Sequence, residues 1–80
     1  MTDLPRIYFD TNDWADQHRY SLDLAGSLAD IERLGDSLRQ GMRVLLYMTD
    51  ELEVEATLEY DDAEHRWLGR PDWKTLHHLQ

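Results

Sequence analysis

Acidic and apolar side chains alternate almost without interruption over residues 51–60. Successive side chains of a β-strand point to opposite faces of the sheet, so a period of two predicts a strand with one buried and one exposed face. The apolar face comprises Leu52, Val54, Ala56, Leu58 and Tyr60. The other face carries Glu51, Glu53, Glu55, Thr57 and Glu59. The strand therefore presents a stripe of carboxylates that neighbouring residues, water or a partner must neutralise.

Apolar runs elsewhere in the chain predict four further strands. With the alternating segment, the predicted strands cover about residues 6–10, 19–24, 42–48, 52–60 and 65–70. A polar loop rich in Asp and Asn separates the first two strands, and we expect these two to form a hairpin with a long loop. Residues 72–80 are predicted to be a tail of one or two helical turns.

One segment has the spacing of an amphipathic helix. Its apolar residues recur every three or four positions and are Leu28, Ile31, Leu34 and Leu38. This spacing predicts a helix over about residues 28–40, with Ser27 as its N-cap and Gly41 after its last turn. The element order is then ββαβββ. We therefore predict a single α+β domain over residues 1–80, in which the helix packs on one face of a bent antiparallel sheet or a small, partly open barrel.

The requirement for one dry face sets the expected register of the third and fourth strands. A three-residue turn pairs Met48 with Leu52 on the buried face and Tyr47 with Glu53 on the outer face. The same register places Leu45 on the outer face, among the glutamates.

A four-residue turn between the last two strands is expected to pair Leu58 with Trp67, which makes Trp67 a core residue. On the outer face, arginines then oppose glutamates: Arg66 opposite Glu59, and Arg70 opposite Glu55. Cross-strand pairs of opposite charge contribute about 0.2–1 kcal/mol each. The acidic stripe is therefore expected to be largely compensated within the sheet, with Glu53 left unpaired beside Tyr47.

Several large side chains remain outside the predicted core. Exposed apolar residues among charged ones can mark a partner site, and aromatic residues are enriched in binding hot spots. The predicted interaction surface comprises Leu45, Tyr47, Glu53, Leu68, Trp14 and Trp73. It would bind a protein partner, or a second copy of the chain through the outer face of the sheet. The alternative is that the tail or the first hairpin covers these side chains.

Composition narrows the possible classes of protein. The 80 residues include no cysteine, which leaves no disulfide, thiolate metal site or cysteine nucleophile. The formal net charge of −9 disfavours direct binding to nucleic acids and to anionic membranes, since both require a basic surface. The sequence has no apolar run long enough to span a bilayer and no signal-peptide pattern, so we expect a cytoplasmic location.

The segment Ile7-Tyr8-Phe9-Asp10-Thr11-Asn12 resembles the opening of PIN-type nucleases, in which a strand ends in Asp-Thr-Asn and the aspartate binds a divalent metal ion. The resemblance implies a metal-dependent hydrolase that uses Asp10. The remainder of the chain departs from that family, whose domains are longer. Those domains supply further carboxylates on later elements, as two-metal chemistry requires.

Other metal sites match the sequence poorly. The acidic loop that begins at Asp10 has Ala15 and Ser21 where an EF-hand loop has glycine and glutamate. Whether residues 10–16 bind a cation in another geometry stays open. The adjacent His77 and His78 point in different directions on a helix or a strand. We therefore predict no metal site, no cofactor and no catalytic residue.

These observations favour a small, acidic, non-catalytic protein-interaction or accessory module. One alternative is an acidic decoy or inhibitor that presents carboxylates to a basic nucleic-acid-binding protein. The least favoured alternative is the hydrolase that uses Asp10.

Overall fold

The computed structural model describes residues 4–79. Within them the chain forms six strands, one α-helix and two 3₁₀ helices. The strands are β1 (Arg6–Tyr8), β2 (Tyr20–Ser21), β3 (Arg43–Met48), β4 (Leu52–Asp61), β5 (Arg66–Pro71) and β6 (His77–His78). The helix α1 spans Ala25–Leu34, and the 3₁₀ helices span Gly35–Ser37 and Trp73–Thr75. The predicted α+β class is confirmed, since α1 packs against a curled sheet that forms a half-barrel.

The sheet is mixed rather than antiparallel. Its order is β1-β3-β4-β5-β2, and β6 pairs with the start of β4. β1 runs parallel to β3, so the expected hairpin of β1 and β2 is wrong: the two strands lie at opposite ends of this order. A parallel pair needs a long crossover connection, and the segment that contains α1 supplies it. The predicted tail over residues 72–80 is helical only at Trp73–Thr75, a single 3₁₀ turn, and then forms the short strand β6 instead of a second turn; Gln80 lies outside the described residues.

The two predicted registers have different outcomes. The β3–β4 register is confirmed, with Met48 opposite Leu52 and Tyr47 opposite Glu53. The β4–β5 register differs from the prediction by two residues, so that Leu58 faces Gly69 instead of Trp67. A slip of two keeps every side chain on the face of the sheet that the sequence predicted, although Leu68 on the outer face is also buried.

The slip replaces both predicted cross-strand charge pairs. Arg66 faces Asp61, and Arg70 faces Thr57. The Nε of Arg70 instead donates diagonally to Glu59, at 2.9 Å. Trp67 packs partly buried against the core, beside the ring of Tyr60 at 5.0 Å between centroids.

The core lies on the concave side of the curled sheet. Its buried residues are Ile7, Phe9, Tyr20, Leu22, Val44, Leu46, Val54, Ala56 and Leu58. Ile31 and Leu34 of α1 and Leu38 beyond it pack against this cluster. The predicted core position of Leu28 is wrong, because this side chain is 52% exposed.

The helix boundaries also differ from the prediction of residues 28–40. α1 begins at Ala25, so Ser27 lies inside the first turn instead of serving as the N-cap. Gly35 ends the helix with a φ of 53°, a left-handed conformation that glycine adopts at little cost. The buried residues of α1 are Ser27 and Asp30, so two polar side chains take the position expected of leucine.

These two polar side chains bind the free edge of β1. The hydroxyl of Ser27 donates to the carbonyl of Tyr8, and the amide of Tyr8 donates to the Asp30 carboxylate at 2.9 Å. Asp30 also accepts from the hydroxyl of Tyr47 at 2.8 Å and pairs with Arg33 at 2.8 Å. Exposed strand edges invite pairing with other chains, and α1 protects this one.

None of the helices in the described part of the chain is long and apolar enough to cross a membrane.

Candidate functional site

The two exposed tryptophans lie against the same buried tyrosine. Trp14 is 54% exposed and Trp73 is 47% exposed, whereas Tyr20 is 2% exposed. The ring centroid of Tyr20 is 4.3 Å from that of Trp14 and 6.0 Å from that of Trp73. We call these three residues the aromatic surface. Two tryptophans that are remote in sequence thus contact the same ring.

The sheet fixes the position of Tyr20 at the centre of this surface. Tyr20 lies on β2 opposite Gly69 of β5, and its ring packs edge-on against Phe9 at 5.2 Å. Trp14 forms an isolated antiparallel bridge with Tyr20, so the backbone of the loop follows β2 at this point. Trp73 opens a 3₁₀ helix that Asp72 caps by accepting a hydrogen bond from the amide of Lys74.

Ion pairs hold the loop that carries Trp14 against the outer face of β4. Asp16 pairs with Arg19 at 2.6 Å, and Arg19 pairs with Glu59 at 3.1 Å. The Arg19 side chain and the backbone amides of His18 and Arg19 hold the pKa of Asp16 at about 2. A loop that is ordered before binding loses less conformational entropy when a partner binds.

The remaining residues of the predicted interaction surface do not lie with the tryptophans. Glu53 is paired with Arg6 at 2.6 Å, so the prediction of an unpaired Glu53 is wrong. The guanidinium of Arg6 lies 4.6 Å from the ring centroid of Tyr47, whose hydroxyl binds Asp30. Burial and the Asp30 carboxylate raise the pKa of Tyr47, which keeps its hydroxyl protonated as a donor.

The two leucines of the predicted surface are covered to different degrees. Leu68 is 1% exposed although it has the parity of the outer face, so it cannot reach a partner. Leu45 is partly buried between β1 and β4.

The sequence predicted Trp14 and Trp73 as interaction residues but did not identify Tyr20, whose sequence context is that of an ordinary strand residue. The only signal for Tyr20 was that aromatic residues are well suited to strands.

The charge of the surface stays acidic after folding. Among residues 4–79, six of the eight lysine and arginine side chains form ion pairs. The chain has 17 acidic residues against eight lysine and arginine residues, so acidic side chains exceed cationic ones by nine. A partner therefore meets a surface with a negative potential.

Asp10 shapes the start of the loop. Its carboxylate accepts a hydrogen bond from the amide of Asn12 at 2.8 Å, and its carbonyl accepts one from the amide of Asp13 at 2.9 Å. Within residues 4–79, no group of three or more histidine, aspartate or glutamate side chains could hold a metal ion.

Comparisons of the chain with protein-family models, with curated proteins and with solved structures find no match. The resemblance to PIN-type nucleases stays a prediction from residues 7–12.

Asp13, which precedes Trp14, has a carboxyl group with a buried oxygen, Oδ2, that accepts no hydrogen bond among the described residues. Burial raises the pKa of Asp13, and the adjacent Asp23 raises it further. Ionisation of Asp13 therefore costs more in the folded state than in the unfolded state. This cost is absent below the pKa that Asp13 has in the unfolded chain. It grows as the pH rises above that value and is complete above the raised pKa of the folded state.

We expect Asp13→Asn to raise the melting temperature at pH 7, because asparagine keeps the shape of the side chain without its charge. Thermal unfolding followed by circular dichroism at pH 7 and pH 3 measures the effect. The advantage of the variant should shrink at pH 3, where the ordinary aspartate, with a pKa of about 3.9, is largely protonated. A variant that is less stable than the wild type at pH 7 would contradict this account of Asp13.

Proposed function

We propose that the protein is a non-catalytic interaction module that binds a basic segment of a protein partner through its aromatic surface. The observation that carries the proposal is the contact of two half-exposed tryptophans with one buried tyrosine. Single exposed apolar side chains are common on protein surfaces, whereas here two exposed tryptophans rest on the same buried ring. Tryptophan and tyrosine are also the residues most enriched in binding hot spots.

Charge complementarity supports a basic partner. The net charge of −9 attracts lysine and arginine side chains over several ångströms and accelerates encounter. The faces of tryptophan rings also bind cations, and arginine is the most frequent cation in such contacts. A segment with arginine next to an apolar residue would match both properties.

The acidic-decoy alternative predicts a different dependence of the affinity on salt and on the tryptophans. A decoy binds through charge alone, so its affinity would fall steeply with salt and would be insensitive to the tryptophans. The proposed module combines apolar contact with charge. Its affinity should fall only partly with salt, because burial of the tryptophan rings persists at high ionic strength.

Selection of a displayed library of random dodecapeptides against the folded protein tests the proposed partner chemistry. We expect enrichment of peptides that contain arginine or lysine beside an apolar or aromatic residue. Isothermal titration at 50 mM and 500 mM salt should show weaker but measurable binding at high salt. Enrichment of acidic peptides, or the complete loss of binding at 500 mM salt, would contradict the proposal, and the second result would favour the decoy.

A further inference from the structure

A groove of about 380 Å³ lies between α1, the end of β2 and the turn that joins β4 to β5. Its apolar walls include Leu28 and Ile31 of α1 and Trp67 of β5. The lining residues do not include Trp14, Tyr20 or Trp73, so the groove is distinct from the aromatic surface. The exposure of Leu28 has a structural explanation here: its side chain forms a wall of the groove instead of packing into the core.

The polar part of the groove has two carboxylates, one guanidinium and one imidazole. These groups belong to Asp23, Glu64, Arg66 and His65. The guanidinium of Arg66 faces two carboxylates, Asp23 at 3.8 Å and Asp61 at 3.6 Å, although its Nε has no hydrogen-bond partner among residues 4–79. It also donates to the hydroxyl of Ser21 at 3.1 Å.

A second carboxyl group lies behind Asp23. Asp13 is adjacent to Asp23, and its buried Oδ2 has no hydrogen-bond partner among residues 4–79. Acidic side chains therefore outnumber the guanidinium of Arg66 at this end of the groove. A bound cation would relieve the repulsion between these carboxylates, whereas a neutral molecule would leave it unchanged and an anion would increase it.

We propose that the groove binds a small molecule in which an apolar body is joined to a primary ammonium group. The apolar body would contact Leu28, Ile31 and Trp67, and the ammonium group would lie beside Asp23. The volume is within the range of small-molecule pockets, about 300–1,000 Å³. An aliphatic or aromatic amine would complement both the apolar walls and the carboxylate of Asp23. An alcohol of the same shape would complement only the apolar walls.

The test is a titration of ¹⁵N-labelled protein with 2-phenylethylamine at pH 7 and low salt, followed by NMR. The matched neutral probe is 2-phenylethanol, which has nearly the same shape. We expect localised shifts at the amides of Leu28 and Asp23 and at the indole of Trp67. The amine should bind at least fivefold more tightly than the alcohol.

Two variants with the same change of charge separate a site from general attraction to an acidic protein. Asp23→Asn removes a carboxylate from the groove, and it should reduce the preference for the amine to less than twofold. Glu32→Gln removes an exposed carboxylate of α1 that does not line the groove, and it should leave the preference unchanged. The amide spectrum of each variant reports whether it is folded.

Three results would overturn the proposal. They are equal affinity for the amine and the alcohol, shifts spread over the acidic residues of the whole surface, and equal effects of the two variants. A lysine-containing hexapeptide that binds more tightly than the free amine would also overturn it, because the occupant would then be a protein segment. None of these results depends on Trp14 or Trp73, so the outcome is independent of the proposed protein partner.

Discussion

Replacing Asp30 with alanine is expected to lower the free energy of unfolding by about 3 kcal/mol, because the change removes a buried carboxylate and leaves partly buried donors without an acceptor. The Asp30 carboxylate accepts from the amide of Tyr8 and from the hydroxyl of Tyr47, and it pairs with Arg33. These bonds join α1 to β1 and β3. A chain of 80 residues has a total stability of about 4–12 kcal/mol, so the variant should lose a large part of it.

Urea unfolding followed by far-UV circular dichroism measures this loss. Asp36→Ala is the matched control, since Asp36 is an exposed acidic residue in the 3₁₀ helix that follows α1. Its stability should change by less than about 0.5 kcal/mol. Tyr47→Phe combined with Asp30→Ala in a double-mutant cycle should show a coupling energy of about 1 kcal/mol. Equal losses in the Asp30 and Asp36 variants would show that Asp30 does not anchor the helix.

Replacing Tyr20 with alanine is expected to cost about 3–5 kcal/mol, the range for removing a buried aromatic ring. The ring is 2% exposed and contacts Phe9, Trp14 and Trp73. Its loss would open a cavity in the core and remove the support of both exposed tryptophans. The same substitution should therefore reduce stability and disorder the aromatic surface.

The conservative control is Tyr20→Phe, which retains the ring and should stay within about 1 kcal/mol of the wild type. Unfolding in urea gives the stability, and the intrinsic fluorescence of the folded state reports on the environment of the tryptophans. We expect a red-shifted emission for the alanine variant only. If alanine and phenylalanine at position 20 gave the same stability and the same emission, Tyr20 would not support the aromatic surface.

The sequence predicted those parts of the sheet that depend on local patterns. Strict alternation along β4 and a short turn before it determined the β3–β4 register, and both are properties of neighbouring residues. The β4–β5 register has the same alternation, but a slip of two residues satisfies it equally well. The turn decides between the two registers. In the structure this turn places His65 at a φ of 53°, a conformation that is uncommon outside glycine and that no feature of the sequence predicted.

Local sequence patterns could not predict which strand pairs with β1 or which face of α1 is buried. β1 pairs with β3 across the whole helical segment, and such a pairing is set by tertiary packing rather than by the residues of β1. The helix periodicity pointed to Leu28 as a core residue. Ser27 and Asp30 instead face the sheet, because the free amide and carbonyl of Tyr8 need hydrogen-bond partners.

The candidate site was predictable only in part. Trp14 stood out as an aromatic residue in a polar loop, and Trp73 stood out near the end of the last predicted strand. Their contact through Tyr20 depends on the curl of the sheet, which brings β2, the loop and the end of β5 together. The acidic stripe of β4 was the first lead in the sequence. The structure shows that Arg6, Arg43 and Arg70 neutralise Glu53, Glu55 and Glu59 of that stripe.

The central claim is that Trp14 and Trp73 together form the contact surface for a basic partner. The direct measurement is the affinity of one selected basic peptide for the wild type and for the double variant Trp14→Ser/Trp73→Ser, by isothermal titration at 150 mM salt. Leu79→Ser is the control, because Leu79 is another exposed apolar residue. We expect at least a tenfold loss of affinity, or about 1.4 kcal/mol, for the double variant and no change for the control. Equal affinity of the wild type and the double variant would contradict the account.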